Sequence, residues 1–320
     1  MMLAALSGRY KSIRVICALC ATTLLSLFAL RLSADTPNPE QTNAPSKRAN
    51  PPLDTITVEA QRSRKELEKR VDQFLSSVIV RQRDRPFARW RQPVCPIILG
   101  LLKDQGDFMV GRLSEIARQA GVPLAPAKCT VNFAVIATQE PHELINILRR
   151  RRPGLFDTRQ GESPFKRYRD VSRPVRVWYN AEFTASDGTP FWADTVNEDG
   201  SIKRIYTKPR HYGGHGTTYY GDVREITTAI ILLDTNMLHD NTVGQLADYI
   251  AVVGLAEINL DGNLGDAPTI LHLFRAGGQS FDGHLSVWDQ AFLKSLYDTP
   301  QESMFQLSKM TTEVVEIIAP

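Results

Sequence analysis

Hydrophobic positions along the chain repeat with two different periods, and the two periods predict a mixture of helices and strands. Spacings of three and four residues predict amphipathic helices at 62–80, 107–119, 141–152 and 242–254. Alternation predicts strands at 54–62, 129–138, 173–183, 190–196 and 202–207, and the apolar run at 225–234 predicts a central strand. We therefore expect an α+β fold: a mixed or antiparallel sheet with flanking helices and further helices at the C-terminal end.

Short polar signals locate turns and helix starts within this pattern. Asp187-Gly188 and Asp199-Gly200 predict hairpin turns between the strands of the middle region. Capping boxes predict that helices begin after Thr242, Ser286 and Thr299, with Gln245, Asp289 and Glu302 as the matching residues and Pro300 at a first helical position. In the strand predicted at 129–138, one face is expected to consist of Val131, Phe133 and Val135.

The N-terminal region has the layout of an export signal. Three basic residues precede an apolar run of 16 residues from Val15 to Leu30, and Ala34 is a small residue suited to cleavage. We expect a signal peptide at 1–34, a disordered Pro-rich tether at 35–55 and an α+β domain at 56–320, with a sub-boundary near 150–175 left open. The protein is then periplasmic or secreted. The alternative is an uncleaved leader, which would be the chain's only membrane contact.

Cysteine usage agrees with an exported protein. Removal of the leader leaves Cys95 and Cys129, an even pair that predicts one disulfide in an oxidising compartment. Two buried free thiols are the alternative. A metal site is disfavoured because the two residues lack the close spacing of zinc-binding cysteines.

Charge is distributed unevenly along the chain. Residues 1–180 contain 30 basic and 16 acidic side chains, against 8 and 19 in residues 181–320. The tract at 149–176 has ten arginines or lysines and three acids, so it could meet an anionic partner. A solvated basic face, or pairing with the acidic half, is the interpretation we favour, and we expect no nucleic-acid partner.

The helix predicted at 242–254 has the spacing of a zinc-peptidase helix without its histidines. In those enzymes His-Glu-x-x-His places two ligands on one helical face, and the Glu activates the metal-bound water. Metzincins continue through a glycine turn to a third ligand. Aligning Gly254 with that glycine puts Ala247 and Ala251 at the helical ligand positions, Asp248 at the general-base position and Glu257 at the third ligand. A plain buried amphipathic helix is the alternative.

The segments QLADYIAVVGL, APTILHLF and SVWDQAFLKSLYDTPQESM resemble the C-terminal region of a family of uncharacterised secreted proteobacterial proteins, some of them putative lipoproteins. ITVEAQR, ARWRQPVCP and the Gly254-Leu255 pair are similar to a narrower group of exported proteins. The resemblance covers roughly residues 175–310. It implies a zincin-like fold, with the zincin-like helix after a central strand, but neither an activity nor a substrate.

These patterns lead to one expected function and two alternatives. We expect a catalytically silent exported protein that binds a protein or peptide partner through a degenerate cleft formed by Ala247, Asp248, Ala251 and Gly254. The first alternative is a noncanonical metal-dependent hydrolase that uses Asp248, Glu257 and the loop residues His211 and His215. The second is an envelope component coupled through the segment DTITVEA at 54–60. Arg224 and Tyr249 are candidate partners for a buried Asp248, and no cofactor is expected.

Overall fold

A mixed four-stranded sheet forms the centre of the fold. The computed structural model describes residues 53–81, 86–156, 162–185, 192–196, 202–206, 222–238, 240–275, 283–301 and 305–319. Its strands are β1 (Pro96–Leu99), β2 (Phe133–Thr138), β3 (Val175–Ala185), β4 (Trp192–Val196), β5 (Ile202–Tyr206) and β6 (Asp222–Asp234). The sheet order is β1-β2-β6-β3. Strands β1, β2 and β6 run parallel, and β3 is antiparallel to β6 at the edge.

Seven described helices accompany the sheet. They are α1 (Leu53–Val78), α2 (Lys103–Ala120), α3 (Pro141–Arg151), α4 (Glu162–Asp170), α5 (Val243–Leu255), α6 (Val287–Asp298) and α7 (Gln306–Ile318). This confirms the α+β class with a mixed sheet, flanking helices, a helix after the central strand β6 and C-terminal helices. No helix in the described ranges is long and apolar enough to cross a membrane.

Apolar side chains cover both faces of the sheet, as the long apolar run of β6 predicts. On one face, helices α1, α2, α5, α6 and α7 enclose the larger cluster, which contains Phe74, Trp90, Phe133 and Phe292. On the other face, α3 and α4 enclose a smaller cluster of Ile145, Phe156, Phe165, Tyr168, Trp178, Ile230 and Leu232. The aromatic rings of the smaller cluster meet edge to face or tilted, at centroid distances of 5.3–5.9 Å.

Local signals predicted several helix ends correctly. Thr242 accepts a hydrogen bond from the Gln245 amide at 3.2 Å, which completes the predicted capping box at the start of α5. Ser286 and Asp289 form the corresponding box at the start of α6. Strand β2 alternates between buried and partly buried residues as predicted, except that Val131 precedes the strand and is 46% exposed.

Three sequence predictions are wrong at the level of elements. Residues 54–62 form part of α1 rather than a strand, and α1 includes residues 53–55 at the end of the predicted tether. Thr299 closes α6, its amide bonding to the carbonyl of Ser295, and the last helix begins at Gln306 instead. Strand β3 pairs with β6 and not with its neighbour β4, although β4 and β5 do form the predicted antiparallel pair. The residues of both predicted hairpin turns, like the leader, lie outside the described part.

The predicted disulfide is present. Cys95 and Cys129 are bonded, with their Cα atoms 6.0 Å apart. Cys95 immediately precedes β1, and Cys129 lies in the connection that leads into β2. The first residues of β1 and β2 pair with each other in a parallel arrangement. The bond therefore joins the N-terminal ends of two neighbouring parallel strands.

Candidate functional site

Helix α5 lies inside the protein rather than beside a cleft. Ala247, Asp248, Ala251 and Gly254 are all buried, because the helix packs between α2, the sheet and α6. The prediction that these residues line a cleft is therefore wrong for the described structure. The nearly continuous apolar sequence of α5 leaves no polar stripe to face solvent, as a fully buried helix requires.

Gly254 has a packing role instead of the predicted turn. Helix α5 continues through Leu255 and ends at Ala256 in an extended conformation, and Gly254 is not among the glycines with positive φ. A Cβ atom at Gly254 would lie 2.2 Å from the Cζ atom of Phe133. The missing side chain thus lets α5 approach β2 closely.

Asp248 is a buried acid whose partner the sequence did not reveal. Arg112 of α2 donates from Nε to Oδ1 of Asp248 at 2.6 Å, and the Leu285 amide donates to Oδ2 at 2.9 Å. The predicted partner Arg224 lies elsewhere, and the hydroxyl of Tyr249 makes no bond to Asp248. Since both carboxylate oxygens are occupied, Asp248 serves as a polar link between helices in this arrangement.

Glu257, in the segment that follows α5, is likewise paired with an arginine. Its carboxylate accepts two hydrogen bonds from the guanidinium of Arg224, one of them at 2.7 Å from Nη2 to Oε1. The side chain of Glu257 is 12% exposed. Within the described ranges, no group of three or more His, Cys, Asp or Glu residues is placed to hold a metal. His211 and His215 lie outside those ranges.

A pocket lies along the outer edge of β3. It has a volume of about 620 Å³. Its floor is the β3 segment 176–181. One wall is formed by α4 and the following residue Val171. The other is formed by Val80 and the segment 257–261 that follows α5. We call this pocket the β3 groove.

Hydrogen bonds hold the second wall of the β3 groove in place. The Asn259 amide donates to the Val78 carbonyl at 2.7 Å, which ties the wall to the end of α1. The Tyr179 hydroxyl donates to the Val253 carbonyl at 2.5 Å and accepts from the Ile258 amide at 3.3 Å. Burial raises the pKa of Tyr179 well above its ordinary value, so this hydroxyl keeps its proton and both bonds.

Some backbone groups of β3 point into the groove and have no partner in the described part of the chain. The Asp234 amide donates to the Pro174 carbonyl at 2.9 Å, which fixes the alternation of the antiparallel ladder. Positions 176, 178 and 180 therefore bond to β6, and the N–H and C=O of Val177 and Tyr179 point to the outer edge. No residue that the structure describes bonds to these four groups.

Acidic residues that line the groove are already paired. Arg173 donates to Asp261 at 2.6 Å, and Arg224 holds Glu257. Asp170 accepts two bonds from Arg169 at 2.6 and 2.9 Å, and this contact lowers the pKa of Asp170 to about 2. Two further arginines of the lining, Arg167 and Arg176, have no ionic partner among the described residues, so the groove has an excess of positive charge.

Sequence reasoning found the basic tract at 149–176 but favoured a solvated face for it. The structure divides the tract: its first arginines end α3 at the surface, whereas Arg176 is buried in the groove. The signal that could have separated Arg176 is its position within an alternating strand, beside Val175 and Val177.

Comparison of the chain with protein-family models, with curated proteins and with solved structures finds no match.

Proposed function

We propose that this protein is an exported binding protein that accepts an extended peptide segment of a partner along the edge of β3. The observation that carries the proposal is the row of unpartnered backbone groups of Val177 and Tyr179 at the floor of the β3 groove. An extended peptide that joins a sheet edge satisfies such groups through main-chain hydrogen bonds. The two walls flanking β3 would then contact its alternating side chains.

The groove limits what can join the edge. Exposed sheet edges are commonly protected against pairing with other chains, and here α4 and the segment 257–261 rise on the two sides of β3. A narrow extended chain fits between such walls, whereas the edge of another folded sheet would meet them. We therefore propose a peptide or a flexible segment of a protein as the partner.

The hydrolase alternative receives less support from the same geometry. Its two candidate catalytic carboxylates, Asp248 and Glu257, accept hydrogen bonds from Arg112 and Arg224, and Asp248 does not line the β3 groove with Glu257. A general base needs a carboxylate that can reach water or substrate. The coupling alternative also loses support, since residues 54–60 are helical. We thus propose that the protein has a binding role and no catalytic one.

Selection from a library of short random peptides on the purified protein tests this proposal. We expect a peptide that binds at one site and protects the amide protons of Val177 and Tyr179 from hydrogen exchange, measured by NMR. Val177→Pro removes one edge donor at a position where proline is tolerated, because that N–H makes no internal bond. The variant is expected to lose about tenfold in affinity, the effect of one hydrogen bond.

Val177→Ile provides the matched control, since it keeps both the β-branched apolar shape and the N–H group, and its affinity is expected to stay within about twofold of the wild type. If Val177→Pro does not fold, peptides N-methylated at alternate residues are tested instead. Of the two alternating sets of methylated positions, only the set whose N–H groups face β3 should lose binding. Binding that persists unchanged through both tests would contradict strand addition.

A further inference from the structure

Arg176 is a buried cation that forms no salt bridge with an acid in the described ranges. Its exposed fraction is 7%, and its one hydrogen bond runs from Nη1 to the backbone carbonyl of Arg169 at 2.9 Å. The Nε atom has no acceptor among the described residues. Burial lowers the pKa of Arg176, although the charges of Asp234 and Asp170 oppose the shift. Such a group destabilises the unliganded fold unless another molecule supplies the missing charge.

A second unsatisfied donor lies on the same side of β3. The Tyr168 hydroxyl of α4 is buried, has no hydrogen-bond partner among the described residues, and belongs to a side chain that lines the groove together with Arg176. Burial raises the pKa of Tyr168 even though the charge of Arg176 opposes the shift. Tyr168 therefore keeps its proton and offers it to an acceptor.

The described acids around this pair accept no hydrogen bond from it. Asp234, whose charge opposes the pKa shift of Arg176, accepts instead from the amide and the side chain of Asn236. Asp170 is held by Arg169 and by His142, whose Nε2 lies 3.0 Å from Oδ1 of Asp170. Asp261 is held by Arg173. Each of the three carboxylates has a partner of its own, so Arg176 Nε and the Tyr168 hydroxyl remain without an acceptor in the described part of the chain.

We infer that Arg176 and Tyr168 form a carboxylate subsite within the β3 groove, and that the bound peptide carries an acidic side chain or a free C-terminal carboxylate there. A guanidinium presents a planar pair of donors that matches a carboxylate, and a phenol supplies a further O–H donor. The identity of the occupant as a peptide rests on the proposed function, whereas the subsite itself can be tested without any peptide.

Acetate alone is the probe for the subsite. We expect acetate to raise the melting temperature of the wild-type protein more than chloride does at equal ionic strength, because it binds the folded state. Arg176→Met is expected to abolish this difference. Without acetate it should melt no lower than the wild type, because it removes a buried charge that has no partner. Arg151→Met, which removes an exposed arginine of α3 outside the groove, should keep the acetate response.

Tyr168→Phe supplies a second variant in case Arg176→Met does not fold. It removes only the hydroxyl, so it should weaken the acetate response without lowering the melting temperature of the free protein. An acetate effect of equal size in Arg176→Met or Tyr168→Phe and in the wild type overturns the subsite. Stabilisation by inorganic phosphate but not by acetate overturns the choice of a carboxylate.

Binding measurements with modified peptides then identify the source of the carboxylate. For a peptide selected on the wild-type protein, either amidation of its C-terminus or exchange of its acidic residues for amides should weaken binding about tenfold to hundredfold. That penalty should vanish with Arg176→Met. If Val177→Pro leaves the acetate response intact while no peptide binds, the proposed function fails and the subsite stands. If peptides bind but neither change weakens them, the subsite inference fails alone.

Discussion

At the scale of single residues, two glycines in helices have opposite roles. A Cβ atom at Gly254 would overlap the ring of Phe133 at 2.2 Å from Cζ, whereas one at Gly111 of α2 would meet nothing within 4 Å. Gly254→Ala is therefore expected to destabilise the protein by about 1–3 kcal/mol through overpacking. The better helix propensity of alanine offsets only about 1 kcal/mol of the clash. Denaturant unfolding measures the change.

Gly111→Ala is the matched control for that prediction. It makes the same chemical change in an uncrowded helix, so it should stabilise the protein by up to about 1 kcal/mol. Equal effects of the two substitutions would show that α5 does not approach Phe133 as closely as the structure indicates.

At the scale of elements, the burial of α5 determines what its zinc-peptidase spacing can do. Ala247 and Ala251 pack inside the core, so Ala247→His with Ala251→His would place two imidazoles where neither volume nor hydrogen-bond partners are provided. We expect this double variant to lose more than about 2 kcal/mol of stability and to gain no stabilisation from zinc. Thermal melts with and without zinc provide the measurement.

An exposed pair on α7 controls for the chemistry of two histidines four residues apart. Ser308 and Thr312 are exposed with this spacing, and Ser308→His with Thr312→His should fold normally and melt higher when zinc is present. If zinc stabilised the α5 double variant more than this control, Ala247 and Ala251 would face a usable cleft, in support of descent from a zinc peptidase.

At the scale of the whole molecule, the disulfide is the covalent link in a fold whose sheet joins distant parts of the chain. Cys95 and Cys129 are 34 positions apart, and closing a loop of that size stabilises by about 3–4 kcal/mol in the chain-entropy model. Cys95→Ser with Cys129→Ser should lower the unfolding free energy by that amount. The wild type under reducing conditions should unfold at the same midpoint. A midpoint unaffected by either treatment would contradict a structural role for the bond.

Local sequence patterns determined most elements of this protein and some of their ends. Helices α2, α3, α5 and α6 follow from apolar spacing and capping residues, because these signals act within a few positions along the chain. The errors in predicting these elements also arise within short segments of the sequence. Strand β1 has only four residues, too few to show a period. The alternating segment at 54–62 continues into the helical pattern at 62–80 without a residue that would end a helix. Both segments therefore form one helix, α1. Pro300 stops a helix as readily as it starts one.

The candidate site was decided by tertiary structure. The spacing of α5 singled out Asp248 and Glu257, but their partners Arg112 and Arg224 come from other elements, and no local rule assigns such pairs. The basic tract was visible in the sequence, yet only the pairing of β3 with β6 leaves the other edge of β3 open and buries Arg176 beside Tyr168. The sequence by itself determined which segments are helices or strands and which cysteines can bond, since neighbouring residues fix periodicity. Long-range packing alone decided which strand edge is open and which charge lacks a partner.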